Sequence, residues 1–218
     1  MALMKIPPNS TLLLIGDSIT DCGRARHSAN TFENALGNGY VGLLHALLTA
    51  TNPQQTIRII NMGTSGDTVQ DLAVRWNTDV LAFYPDWLSI MIGINDVWRQ
   101  FDPLLRTEWQ VSLDEYASIL ERLVRLTLPQ LKGLVLMTPY LIEPDHTDPM
   151  RAMMDRYGGV VRQLAEQYHA VFVDTQAAFD QVLMEVDPMA LAPDRVHPNL
   201  VGHMILARAF FRAVEYAW

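Results

Sequence analysis

At 218 residues, half of them hydrophobic, the chain is suited to a folded unit with one sizeable core and not to a disordered segment. Twenty-four acids against 16 bases leave a net charge of −8, and the bases are scattered, which argues against a nucleic-acid or anionic-membrane partner. One cysteine excludes an internal disulfide, and no run of about 18 apolar residues offers a membrane span.

The first readable element is the apolar run "TLLLI" (11–15), which leads straight into Gly16-Asp17-Ser18. It is too short for a signal-peptide core, and only Lys5 supplies positive charge before it, so the expected location is the cytoplasm. A helix is predicted near 39–50, then a strand at "TIRII" (56–60) and a helix over 68–82. "WLSIMI" (87–92) reads as a third strand. "SLDE" then opens a helix over 112–128 with a Ser-x-x-Glu capping box, its face formed by Leu113, Tyr116, Ala117, Leu120 and Val124. "GLVLM" (133–137), a helix over 150–169 and "AVFVD" (170–174) follow. A last helix is predicted to start near Pro198, which lacks an amide hydrogen, with a buried stripe of Leu200, Met204, Ala207, Phe211 and Val214. No repeat, low-complexity segment or linker interrupts this series, so residues 1–218 are expected to form a single domain.

Short apolar strands alternating with helices imply an α/β three-layer sandwich around a five-stranded parallel sheet. In such sheets the site lies at the carboxyl ends of the strands, where the strand order reverses. With the flavodoxin-like order 2-1-3-4-5, the loops after the first three strands are neighbours. They carry Ser18 in "GDS", Gly66 in "NMGTSGDT" and Asn95 in "GINDVW".

A serine becomes a useful nucleophile only when a base takes its proton and an acid orients that base. Of six histidines, His27, His45, His146, His169 and His203 have no acid at an orienting spacing. His197 differs, because "PDRVHPN" sets Asp194 three residues before it, ahead of a helix. Alone, Asp-x-x-His also describes a solvated pair at a helix entry. Its joint occurrence with "GDS" is the stronger signal.

"IGDSITDCGR", "NMGTSGDTV", "IGINDVW" and "DRVHPN" occur in the order and approximate spacing of the SGNH (GDSL) hydrolase family, which the chain resembles over almost its whole length. "SIMIGINDVWRQ", "DPMR" and "FVDTQAAF" resemble most the branch of intracellular acetyl xylan esterases acting on xylan fragments. The resemblance implies the SGNH-hydrolase fold, with Ser18 as nucleophile, His197 as base and Asp194 as orienting acid. It implies an oxyanion hole from the Ser18 amide, Gly66 and Asn95, and O-acetyl groups of sugars, such as xylo-oligosaccharides, as the substrate. A homo-oligomer is implied by the resemblance alone.

Other residues read more simply. Asp17 braces the turn, Asp96 is a scaffold acceptor, Gly63 serves turn geometry, and Cys22 is a small packed residue beside the site. "DPMRAMM" reads as helix start and core packing. Trp98 is a candidate sugar contact or an ordinary packing residue. Trp109, Trp218 and the loop 27–38 carry no assignment. No zinc-ligand spacing is present, and "GDSITDCG" lacks the lysine of a phosphate loop, so no metal and no cofactor are expected. Two alternatives stay open: a lysophospholipase or thioesterase with broader acyl preference, and a non-catalytic carbohydrate-binding module.

Overall fold

The computed structural model describes residues 4–25, 35–54, 56–102 and 110–217. Residues 27–34 of the loop 27–38, His27 among them, lie outside the described residues, as do Trp109 and Trp218. Strand β1 (Thr11–Gly16) leads through Asp17 into the short helix α1 (Ser18–Asp21), followed by α2 (Tyr40–Thr51), β2 (Arg58–Gly63) and α3 (Val69–Asp79). Then come β3 (Trp87–Met91), α4 (Ile94–Phe101), α5 (Leu113–Thr127), β4 (Gly133–Met137) and α6 (Pro149–Gln167). The described chain closes with β5 (Val171–Val173), α7 (Thr175–Leu183), α8 (Pro188–Leu191) and α9 (Leu200–Ala213).

All five strands are parallel in the order β2-β1-β3-β4-β5. β1 lies inside the sheet between β2 and β3, and its apolar residues Leu12 to Ile15 are each sealed from water on both faces. Helices α2, α7 and α9 pack on one side of the sheet, and α3, α5 and α6 on the other. Gly16 is level with Gly63 on one neighbour and Met91 on the other, so three loops leave the sheet at one height. Gly63 is required by close approach: a Cβ there would lie 2.1 Å from the Asp21 amide nitrogen.

Several boundaries differ from the sequence reading. β2 runs over 58–63, because its register with β1 continues until the two glycines meet. α3 ends at Asp79 and is followed by a 3-10 turn at Leu81–Phe83. The box at Ser112 is half formed: the Ser112 hydroxyl accepts from Glu115 N, but the Glu115 carboxylate takes Gln70 Nε2 instead. The reciprocal box belongs to Thr68 and Asp71 at the start of α3. α9 begins at Leu200, because the Asn199 side chain caps the amides of Val201 and Gly202. Its predicted stripe is buried at Ala207, Phe211 and Val214 and is corrected at its other two positions. Leu200 and Met204 are exposed, and His203, Leu206, Ala207, Phe210 and Phe211 face inward.

Candidate active site

Asp17 caps α1, accepting from Ile19 N at 3.0 Å, and this aims the next side chain, Ser18, out of the strand end. The Asp194–His197 segment is folded by Asp194 Oδ1, which accepts the amides of Val196 (3.0 Å) and His197 (2.8 Å). The other carboxylate oxygen then meets His197 Nδ1 at 2.6 Å, and His197 Nε2 lies 2.9 Å from Ser18 Oγ. Burial pushes the Asp194 carboxyl up, but the bonds from His197 and Val196 outweigh it and hold the group below its usual range. An ionised Asp194 only accepts, so Nδ1 carries the imidazole proton. Nε2 is left as the acceptor of the serine hydroxyl.

A second set of bonds steadies this segment. Tyr140 Oη donates to Val196 O and Ile142 N donates to Arg195 O, while Arg195 reaches Glu143 at 2.8 Å and Asp148 at 3.1 Å. All four partners belong to the connection between β4 and α6.

The loop after β2 supplies donors. The amides of Thr64, Ser65, Asp67, Thr68 and Val69 are bonded to Gly16 O, Asp21, Thr64 O, Asp71 and Asp96. Gly66 N has no partner among the described residues, nor has Ser18 N. Gly66 has φ +87°, the left-handed region that glycine enters without a steric cost. Asn95, near the start of α4, gives one side-chain hydrogen to Asp67 O at 2.9 Å and keeps the other. The structure thus brings Ser18, Gly66, Asn95, Asp194 and His197 to one place. Ser18, Gly66, Asn95 and His197 line a crevice of about 520 Å³ together with Cys22, Trp98 and His203. The Trp98 ring stands edge-on to His197, centroids 5.9 Å apart.

Asp17 and Asp96 lie under the crevice, each pushed up to about 7 chiefly by burial. Both act as backbone acceptors, Asp96 for Val69 N. His203 escaped the sequence reading because its partners are distant in the chain. Its Nδ1 accepts from Tyr40 N at 3.2 Å, so Nε2 carries the proton and donates to Cys22 Sγ at 3.3 Å. The "DPMRAMM" segment does start a helix and pack the core, through Asp148, Met150 and Met154. It also buries Arg151, which Asp155 and Asp180 neutralise. A larger groove between β5, α7 and α9 is lined by Ala177, Val182, Ile205 and Ala209, and it has no nucleophile–base pair.

A serine, a histidine and an aspartate joined in one hydrogen-bonded chain at the end of β1, beside the Ser18 and Gly66 amides and the Asn95 side chain, form an arrangement of the serine hydrolase type on a doubly wound sheet. The model of the GDSL-like lipase/acylhydrolase family matches residues 14–205, and the chain belongs to that family. It is 56% identical to an acetylxylan esterase of Geobacillus stearothermophilus over 99% of this chain and 98% of the relative. The crystal structure of that acetylxylan esterase, Axe2, superposes with a TM-score of 0.95, again at 56% identity, covering 99% of this chain and 98% of the other. Catalytic mutants of Axe2, in which a serine, an aspartate or a histidine is replaced by alanine, match with the same TM-score. An α/β hydrolase from the metagenome of Lake Arreo, Spain, is 49% identical with a TM-score of 0.95, covering 98% of this chain and 99% of that one.

Proposed function

We propose that this protein is a serine esterase that removes O-acetyl groups from xylo-oligosaccharides, with Ser18 as nucleophile, His197 as base and Asp194 as orienting acid. The observation that carries the reading is the unbroken path from Asp194 Oδ2 through the imidazole to Ser18 Oγ, at 2.6 and 2.9 Å, opening on the crevice that holds the spare donors. The relatives' acetylxylan esterase activity supports the choice of substrate.

His197 Nε2 takes the hydroxyl proton as Ser18 Oγ bonds to the acetyl carbon, and the carbonyl electron pair moves onto oxygen. The amides of Ser18 and Gly66 and the free hydrogen of Asn95 hold that oxyanion. Collapse breaks the bond to the sugar oxygen, which leaves with the proton from His197. Water repeats the sequence: His197 accepts its proton, its oxygen bonds to the acyl carbon, and Ser18 leaves protonated, releasing acetic acid. Trp98 forms a wall beside His197 and is the proposed contact for the sugar ring. A homo-oligomer and a cytoplasmic location complete the proposal. Exposed Leu200, Val201 and Met189 suit a surface that a second copy covers, and analytical ultracentrifugation tests the assembly.

Ser18→Ala abolishes hydrolysis with the circular dichroism spectrum unchanged, and Asn95→Ala lowers kcat by roughly 10²–10³. Acetyl, butyryl and octanoyl nitrophenyl esters, with acetate release from acetylated xylo-oligosaccharides, decide the substrate. An acyl groove gains roughly 0.8 kcal/mol per buried methylene, so kcat/KM rising with chain length and no acetate from sugars establishes the lipid or thioester alternative instead.

A further inference from the structure

We propose that Arg99 is a positioning residue of the oxyanion hole, acting through Gly66. The inference rests on the assignment of Gly66 N as an oxyanion donor.

Glycine is the residue least able to hold its own peptide plane, and Gly66 sits in a backbone conformation that few other residues adopt. Something outside the residue must therefore fix its amide. Arg99 Nη2 donates to Gly66 O at 2.5 Å, a charge-assisted bond from a planar guanidinium. On the other side of the same stretch, Ser65 N and Ser65 Oγ both donate to Asp21 Oδ2, at 3.2 and 3.1 Å. The Ser65–Gly66 peptide, which carries the unengaged N–H, is thus held from both ends: Asp21 at Ser65 and Arg99 at Gly66.

The grip from α4 is continuous. Asn95 takes Asp67 O, Asp96 takes Val69 N, and Arg99, one helical turn after Asn95, takes Gly66 O. The helix that presents the Asn95 amide therefore also sets the position of the Gly66 amide, and the two donors are registered to one rigid body. Arg99 adds a positive charge one peptide behind the place where negative charge develops.

The experiment uses Arg99→Met, Arg99→Lys and Arg99→Gln, with active sites counted by a serine-reactive phosphonate so that unfolded material does not enter kcat. An organoboronic acid, which forms a tetrahedral adduct on the serine, probes the hole directly, and acetate serves as the ground-state control. A missing donor costs roughly 10²–10³ in kcat, so a displaced one is expected to cost roughly 10-fold or more in Arg99→Met, with KM within about 2-fold. Boronate affinity falls in proportion, acetate affinity does not, and Arg99→Lys recovers part of the loss. A kcat per active site within about 2-fold of wild type in all three variants overturns the inference. So does a raised KM at unchanged kcat, which would make Arg99 a substrate contact. Asn95→Ala run in parallel separates the two readings. If it loses kcat while the Arg99 variants do not, only the role of Arg99 fails; if it too keeps kcat, the oxyanion assignment fails.

Discussion

His203 shows how much a single buried ring commits the molecule to a proton state. Burial first, and the nearby His197 second, lower its pKa to about 4, and its Nδ1 must stay bare to accept from Tyr40 N. The unfolded value is near 6.5, so the unfolded chain binds a proton that the folded chain refuses. The stabilisation from a neutral His203 is therefore whole above pH 6.5 and is lost as pH falls towards 4, by roughly 3 kcal/mol in total. Asp96 works in the opposite sense, since its folded value of about 7 lies above 3.8. Its neutral form favours folding at low pH, and that contribution disappears as pH rises through 7. Urea midpoints from pH 4.5 to 8 are expected to show His203→Asn losing less stability than wild type on acidification. Asp96→Asn, which still offers an oxygen to Val69 N, gains on wild type as pH rises from about 4 to 7 and keeps that gain above it. Parallel pH curves for wild type and both variants would refute this. Asp96 was legible in the sequence as a scaffold acceptor, but His203 was not, because there it is one histidine in a helix and its partners lie 163 and 181 positions away.

Among elements, legibility followed hydrophobic continuity. β1, β3 and β4 begin where the sequence reading put them, because unbroken apolar runs between polar breaks have few other ways to be buried. α1, α4, α7 and α8 were missed: two are four residues long, and the first turn of α4 holds the polar pair Asn95-Asp96, whose side chains serve the neighbouring loop. Also invisible was the link between the β4–α6 connection and the Asp194–His197 segment. Arg195 makes it from a left-handed conformation, φ 63°, which costs a non-glycine residue roughly 1–2 kcal/mol. Arg195→Gly relieves that strain and removes the ion pairs, whereas Arg195→Ala removes the pairs and keeps the strain. Both variants are expected to lose several-fold in kcat with KM unchanged, and Arg195→Gly is expected to have the higher melting temperature. Equal melting temperatures with wild-type kcat would show that Glu143 and Asp148 merely decorate the surface, the usual fate of exposed ion pairs.

For the whole molecule, the strand order was readable because alternating elements with right-handed crossovers leave few topologies. That order also set the loops carrying Ser18, Gly66 and Asn95 side by side, whereas Asp194 and His197 were marked by their three-residue spacing ahead of a helix and the roles of all five by the family resemblance. What stayed hidden was the second ring of contacts, Arg99 to Gly66, Asp21 to Ser65 and His203 to Cys22, since no local pattern marks a bond made across the sheet end.

The shared height at which β1, β2 and β3 release their loops also governs the order of events in time. Ser18 and His197 are 179 positions apart, and the donors come from two further crossings of the sheet, so no contiguous fragment contains a working site. Long-range pairings of this kind form late, after local helices. During refolding from urea, helical ellipticity is expected to return before Ser18 becomes reactive to a phosphonate, and labelling competence to rise only with the slowest phase. A quenched-flow pulse-labelling series measures this. Reactive Ser18 in the earliest collapsed species would mean that the nucleophile and its base meet before the sheet is complete.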